Sequence, residues 1–413
     1  MRALAVLLFG LVLSACATRE ACPPGDLRIP SGAPRPAYAV VRSDASSASA
    51  IALLDAEGAL ITSDVIDSGS RLSSITTALS GDVVLPSTPI GRGRLALLDR
   101  LNVDVLTSID VDGTVGQIDL RGPLVPRSGA TVNPTDALRL PDGRLLVSRL
   151  QPSLDPATPE LARGNDVVVI ANGAVSQRIT LDADVACAGE PPCTAYARPY
   201  QLLRLENGSV RTILVTLGRL SLDFQRAGSG AVLTIDPATL APAAAMELSG
   251  LEDCWFATRD VEDASLAYVL CSGLSRLPEA QRRPHAGIVA LRLGADGALT
   301  IEARYDAGPT GPAPFGSIVS IGGDRVLFVA TSADGDQLVE LEVPSAHTRT
   351  IHTAPSFSLL DGAGAPGLAL VPERVGTGRV LVIDATGEAS IARATTFDDC
   401  IGLPPIQVRP VDL

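Results

Sequence analysis

The chain has 413 residues, 46% of them hydrophobic and only 3% aromatic, and its formal net charge is -13. An acidic balance of this size argues against nucleic acid and against an anionic membrane surface as partners, because both attract basic patches. All 33 basic residues are arginines, so P-loop phosphate binding and Schiff-base chemistry, which need a lysine, are excluded.

The chain opens with Arg2, an apolar run from Ala3 to Leu13 and the small residues Ser14 and Ala15. That is the three-part layout of a secretory signal, and the run is shorter than the roughly 20 apolar residues that cross a bilayer. Leu13-Ser14-Ala15-Cys16 resembles the bacterial lipobox, in which the cysteine thiol is acylated and the chain is cut just before it. The resemblance implies a signal peptide over 1–15 and a lipidated N-terminus at Cys16. Ala17 follows in place of an aspartate, which implies passage to the outer membrane. Residues 16–36 carry five prolines and few large apolar side chains, and predict an extended tether.

From residue 37 to residue 413, short Val, Leu and Ile runs of strand length alternate with Gly, Asp, Asn and Pro turns, and no stretch keeps a helical period. The expected fold class is all-β. One unit recurs, an apolar strand, a tight turn and a second strand: LLDAEGAL at 53–60, SIDVDGTV at 108–115, VIANGAVS at 169–176, RLGADGAL at 292–299 and VIDATGEA at 382–389. TIDPATLA at 234–241 and ELEVPSAH at 340–347 are weaker copies. Their mean period of about 55 residues suits four-stranded blades, so the copies predict a seven-bladed β-propeller. In the third repeat the strands are expected, innermost first, in NPTDALRLPD at 133–142, GRLLVSRL at 143–150, GNDVVVIANG at 164–173 and AVSQRITL at 174–181. The first repeat starts at Tyr38 on a second-type strand without an inner strand of its own, whereas IGLPPIQVRPVDL at 401–413 is a spare one. The C-terminal strand is therefore expected to close the ring and remove a free edge.

Blade motifs of the form strand, Asp, turn Gly, strand resemble those of the YVTN/YncE-like bacterial propellers. Leu146-Val147-Ser148-Arg149 and Leu97-Leu98-Asp99-Arg100 stand in places comparable to that family's Tyr-Val-Thr-Asn run. The resemblance covers 37–413 and implies the same propeller architecture.

Of the seven cysteines, Cys16 belongs to the lipobox, and the other six form an even set suited to three disulfides in an oxidising compartment. Cys254 at the start of the fifth inner strand and Cys271 near the end of its second strand meet at one face if those strands pair antiparallel. Cys187 and Cys193, in CAGEPPC, are expected to pin a loop leading into the fourth blade. Cys22 then remains for Cys400. That bond would leave a tether of six residues, 17–22, with a reach of about 20 Å. It would hold the face carrying loops 149–163 and 273–285 close to the membrane.

Residues for chemistry are few. His285, His347 and His352 offer no metal-ligand spacing beyond the five residues between the last two, across an expected turn. Asp110-Val111-Asp112-Gly113 and Asp334-Gly335-Asp336 fall short of the ligand count of an EF-hand-like loop and read as hairpin turns. Better candidates are polar residues expected at the upper ends of inner strands, around the channel mouth: Asn133, Asp136, Arg198, Gln201, Asp253 and Gln407. Lactonase-like propellers hold a divalent metal with such a set, which Asn133, Asp136 and Asp253 would imitate. Satisfying backbone donors of neighbouring loops is the competing role. These features point to an outer-membrane lipoprotein whose propeller is a non-enzymatic binding or scaffold module for an envelope protein or glycan, with no cofactor. The alternative is a metal-dependent lactonase or hydrolase at the channel mouth.

Overall fold

The computed structural model describes residues 34–71, 74–100, 102–122, 131–187, 190–397 and 401–413. Cys16, Cys22 and Cys400, with the expected signal and most of the tether, lie outside the described residues. The apolar runs pair antiparallel with their sequence neighbours into seven four-stranded sheets, the blades of a propeller. Blade 3 has its strands at Pro134–Arg139, Leu145–Arg149, Asp166–Ala171 and Ala174–Thr180, inner to outer, as the repeat predicts. Blade 1 is composite. Its inner strand is the C-terminal Pro405–Pro410, which lies antiparallel to Tyr38–Ser43 with Val40 opposite Val408.

Burial follows position in the blade. Ser49–Leu54, a middle strand flanked by two neighbouring blades, is buried throughout and apolar on both faces. Ser390–Thr396, an outer strand, is exposed at all but one residue. The hydrophobic core is divided into seven wedges, each between adjacent blades. The wedge between blades 7 and 1 packs Val380 and Val382 on Val40, Ala52 and Val408, so the ring closes through apolar contact as well as strand pairing.

The seven recurrent hairpins all join a third strand to an outer strand and share one face, here called the lower face. Their aspartates serve the turns. Asp55 Oδ1 accepts from the N–H of Glu57 and Ala59 at 3.1 and 2.7 Å, and Asp112 Oδ1 from that of Thr114 at 2.9 Å. Gly58, Gly113 and Gly297 supply the left-handed residue, at φ of 80°, 84° and 84°. On the upper face lie the loops into the inner strands and those between second and third strands. Cys187–Cys193 and Cys254–Cys271 are bonded, and the second pair stands directly opposite across the inner and second strands of blade 5. Among the described residues no helix is long and apolar enough to cross a membrane.

Candidate functional site

The six polar candidates separate into two groups by register. Asp136, Gln201 and Gln407 are each the third residue of an inner strand, and each reaches the backbone of the next inner strand. Asp136 Oδ2 accepts from Leu202 N at 2.8 Å, Gln201 Oε1 accepts from Ala257 N, and Gln407 Oε1 accepts from Leu85 N at 2.6 Å. Asp136 also takes the N–H and hydroxyl of Ser87 at 2.7 and 2.6 Å, so it ties blades 2, 3 and 4 together. Burial raises its carboxyl to about 6, against hydrogen bonds that favour the ionised form. This belt sets the spacing of the inner strands.

Asn133, Arg198 and Asp253 stand immediately before the inner strands of blades 3, 4 and 5, with left-handed φ of 50°, 51° and 57°. Asp253 Oδ2 accepts from Ser272 Oγ at 2.6 Å and Ser275 N at 2.8 Å, and burial raises its carboxyl. Arg198 is fully buried, and its guanidinium donates to Gln151 Oε1 at 2.7 Å and to the carbonyls of Ser221 and Leu222 at 3.0 and 3.1 Å. No carboxylate among the described residues pairs with it at ion-pair distance, and burial pulls it down to about 10. The amide N–H of Asn133 donates to Asp104 Oδ1 at 2.9 Å, whereas its own Oδ1 is buried without a partner among the described residues.

The metal set of the lactonase alternative is not assembled. Asn133 lines a cleft on the upper face that neither Asp136 nor Asp253 borders. Among the described residues no group of three or more His, Cys, Asp or Glu is placed to hold a metal ion. His347 and His352, expected across a turn, lie on one outer strand, His347–Ala354, and His352 Nε2 is 2.8 Å from Glu373 Oε1. Of the six candidates, Gln201 alone borders the cavity of about 200 Å³ between the inner strands, with Arg259, Asp260, Asp361 and Arg409.

The cleft holds about 410 Å³ and spans blades 2 to 5. Its walls carry Asp82 and Arg100 from blade 2, Asn133 and Gln151 from blade 3, and Ser275 and Arg276 from blade 5. Its aromatic side is Tyr200, Trp255 and Phe224, all half-buried. Tyr200 and Trp255 are the second residues of adjacent inner strands and stack at 4.9 Å with planes 19° apart. Phe224 meets Trp255 edge-on at 6.4 Å and has two guanidiniums over its ring, Arg198 at 4.2 Å and Arg276 at 5.5 Å. Phe224 and Trp255 pack against a separate apolar cluster of Leu220, Ala227 and Leu274, and Cys254, the residue before Trp255, bonds Cys271. Gly218 makes room for that indole, because a Cβ there would stand 1.9 Å from Trp255 Nε1.

The sequence reading missed these aromatics. The signal was present. In a chain with 3% aromatic residues, Tyr200 and Trp255 both stand two residues after the residue that precedes an inner strand, in Arg198-Pro199-Tyr200 and Asp253-Cys254-Trp255.

No family model matches the chain, and no curated relative does. Solved structures resemble it in fold. The periplasmic gluconolactonase PpgL of Pseudomonas aeruginosa is 14% identical with a TM-score of 0.55, covering 91% of this chain and 99% of that one. A protein from Lactobacillus plantarum is 12% identical with the same TM-score and the same coverage. Hydrazine synthase of Kuenenia stuttgartiensis is 12% identical with a TM-score of 0.52, covering 84% of this chain and 95% of that one. At these identities the likeness establishes the propeller fold alone.

Proposed function

We propose that this protein is an envelope lipoprotein, anchored through Cys16, whose propeller binds a glycan at the upper-face cleft without transforming it. The observation that carries this reading is the cleft's composition. Half-buried Tyr200, Trp255 and Phe224 share its lining with Asn133, Gln151, Ser275 and Arg276, and the buried acceptor Asn133 Oδ1 has no partner among the described residues. Sugars present C–H faces that pack on aromatic rings and hydroxyls that pair with amides and guanidiniums, so one ligand class satisfies both kinds of lining. The nearby carboxylates have partners elsewhere: Asp82 with Arg100, Asp136 with Ser87 and Leu202, and Asp253, through Oδ2 alone, with Ser272 and Ser275. A general acid or base needs a carboxyl free to meet substrate. Two disulfides suit an oxidising compartment.

Trp255 is the single tryptophan, so its emission reports the cleft directly. Titration with peptidoglycan glycan-strand fragments and chito-oligosaccharides is expected to shift or quench it, with the saccharide recovered intact. Silence in both fluorescence and calorimetry across that panel would overturn the glycan reading. Turnover of a sugar lactone, the activity class named for the Pseudomonas propeller, would replace it with the lactonase alternative. The anchor is tested separately: Cys16→Ser is expected to abolish fatty-acid labelling and release the protein from the membrane fraction, and persistent labelling would exclude lipidation at this residue.

A further inference from the structure

The second position of the inner strand is aromatic in three consecutive blades, at Tyr200, Trp255 and Phe315. Phe315 belongs to a second aromatic pair on the same face, built like the one in the cleft. Phe357 meets Phe315 edge-on at 5.8 Å and 66°, as Phe224 meets Trp255 at 6.4 Å and 76°. In each pair the loop residue is a phenylalanine in the left-handed region, φ 60° for Phe224 and 61° for Phe357. A buried arginine also lies over one ring of each: Arg198 is 4.2 Å from Phe224, and Arg282 is 4.9 Å from Phe315.

Both loops are held in place by buried charge. Arg198 binds the carbonyls of Ser221 and Leu222. Asp336, 1% exposed, accepts from the N–H groups of Phe357, Ser358 and Leu359 at 3.0, 2.7 and 2.8 Å. Phe357 is thereby kept 63% exposed. A left-handed backbone at a bulky residue and an uncovered phenyl ring are each unfavourable. At Phe357 the two coincide, at a position pinned by Asp336. One loop joins the two sites: Leu274, Ser275 and Arg276 line the cleft, and Arg282 donates to the carbonyls of Pro314 and Thr331 beneath Phe315.

We infer that Phe315 and Phe357 form a second saccharide subsite, and that the ligand is an oligosaccharide running from the cleft over blade 5 to blade 6. The inference rests on the glycan reading of the cleft and adds chain length to it. One chain touching two platforms gains from the second contact without a second loss of translational freedom, so affinity rises with length.

The test is a length series of chito-oligosaccharides, from the disaccharide to the hexasaccharide, followed by Trp255 emission. Wild-type affinity is expected to rise by about tenfold or more along the series. Phe357→Ala, at an exposed side chain, should remove most of that gain while leaving disaccharide affinity unchanged; circular dichroism confirms its fold. Affinity independent of length, or a hexasaccharide that binds Phe357→Ala as well as wild type, would overturn the second subsite while the cleft reading stands. Failure of every length to bind would instead remove the glycan reading itself. Binding of apolar peptides at Phe357 in place of saccharide would reassign the surface to a protein partner.

Discussion

At the scale of single residues, the arginine-only composition has a visible use. Arg42, Arg121, Arg149, Arg198 and Arg282 are each 2% exposed or less. Arg149 shows why the guanidinium suits these places: its Nε and Nη2 hold Asp166 at 2.7 Å each, while Nη1 donates to the carbonyls of Leu120 and Leu161 at 2.8 and 2.6 Å. A planar fork with five donors satisfies several loop carbonyls at once, which a lysine ammonium on a flexible stem does less well. Asp136 is the counterpart among the acids. Because burial raises its carboxyl from 3.8 to about 6, the folded chain holds a proton where the unfolded chain has lost it. Its contribution to stability is therefore largest below about pH 4 and is lost as the pH rises through about 6. The stability advantage of wild type over Asp136→Asn should shrink by about 3 kcal/mol between about pH 4 and pH 7. Urea denaturation at a series of pH values measures this, and a flat or rising difference would contradict it. Gly218→Ala drives a methyl into the indole of Trp255. We expect a loss of about 1 to 3 kcal/mol together with a shifted Trp255 emission; an unchanged spectrum would show that the ring can move aside.

At the scale of elements, the blade is a local unit whose parts are specified by adjacent residues. Where a strong turn carries an Asp, the carboxylate accepts from N–H groups that follow it, as Asp296 does from Ala298 at 3.0 Å and Asp384 from Thr386 at 2.9 Å; the turn at 169–176 has none. That use of the carboxylate accounts for Asp112 in the acidic turn at 110–113, whereas Asp336 of the 334–336 turn holds the N–H groups of Phe357, Ser358 and Leu359. Blade 5 carries an additional cross-link. Cys254 and Cys271 face each other across paired strands 17 residues apart in sequence. Gly230 leaves room for the bridge, since a Cβ there would stand 2.1 Å from Cys254 Sγ. Replacing both cysteines by alanine is expected to lower stability by about 3 kcal/mol, from the loop closure lost in the unfolded chain. Thermal melts of the double variant against wild type give the number. A difference below about 1 kcal/mol would mean that the inter-blade wedges alone hold the strands together.

At the scale of the whole molecule, the ring is closed by a strand from the far end of the chain. Pro405–Pro410 contributes Val408 to the wedge between blades 7 and 1, and Gln407 to the tie with Leu85 in blade 2. Val408 N also donates to Asp361 O at 2.9 Å, which links blade 7 to blade 1 directly. Deleting residues 401–413 therefore removes a strand, part of a core wedge and two inter-blade links, and bares the edge of Tyr38–Ser43. The truncated chain is expected to aggregate, and a monomeric, fully folded product in size-exclusion chromatography would show that closure is dispensable.

The sequence by itself determined the repeat, the blade count, the strand order in blade 3, the closing strand, and the pairs Cys187–Cys193 and Cys254–Cys271. The physical reason is that strands, hairpin turns and inner-strand starts depend on residues close in sequence, so their signals recur at a fixed period. Composition also carried information there: continuous apolar runs such as Ser49–Leu54 mark strands covered by blades on both sides. Only the tertiary structure decided which polar residues belong to a site. Asp136, Gln201 and Gln407 look like channel-mouth ligands in one dimension, yet each meets a backbone N–H from a distant segment, Leu202, Ala257 and Leu85 respectively. The cleft draws on residues from Asp82 to Arg276, and the second aromatic pair joins Phe315 to Phe357. No local pattern specifies such contacts, because they arise where blades that are each legible alone are set side by side around a ring.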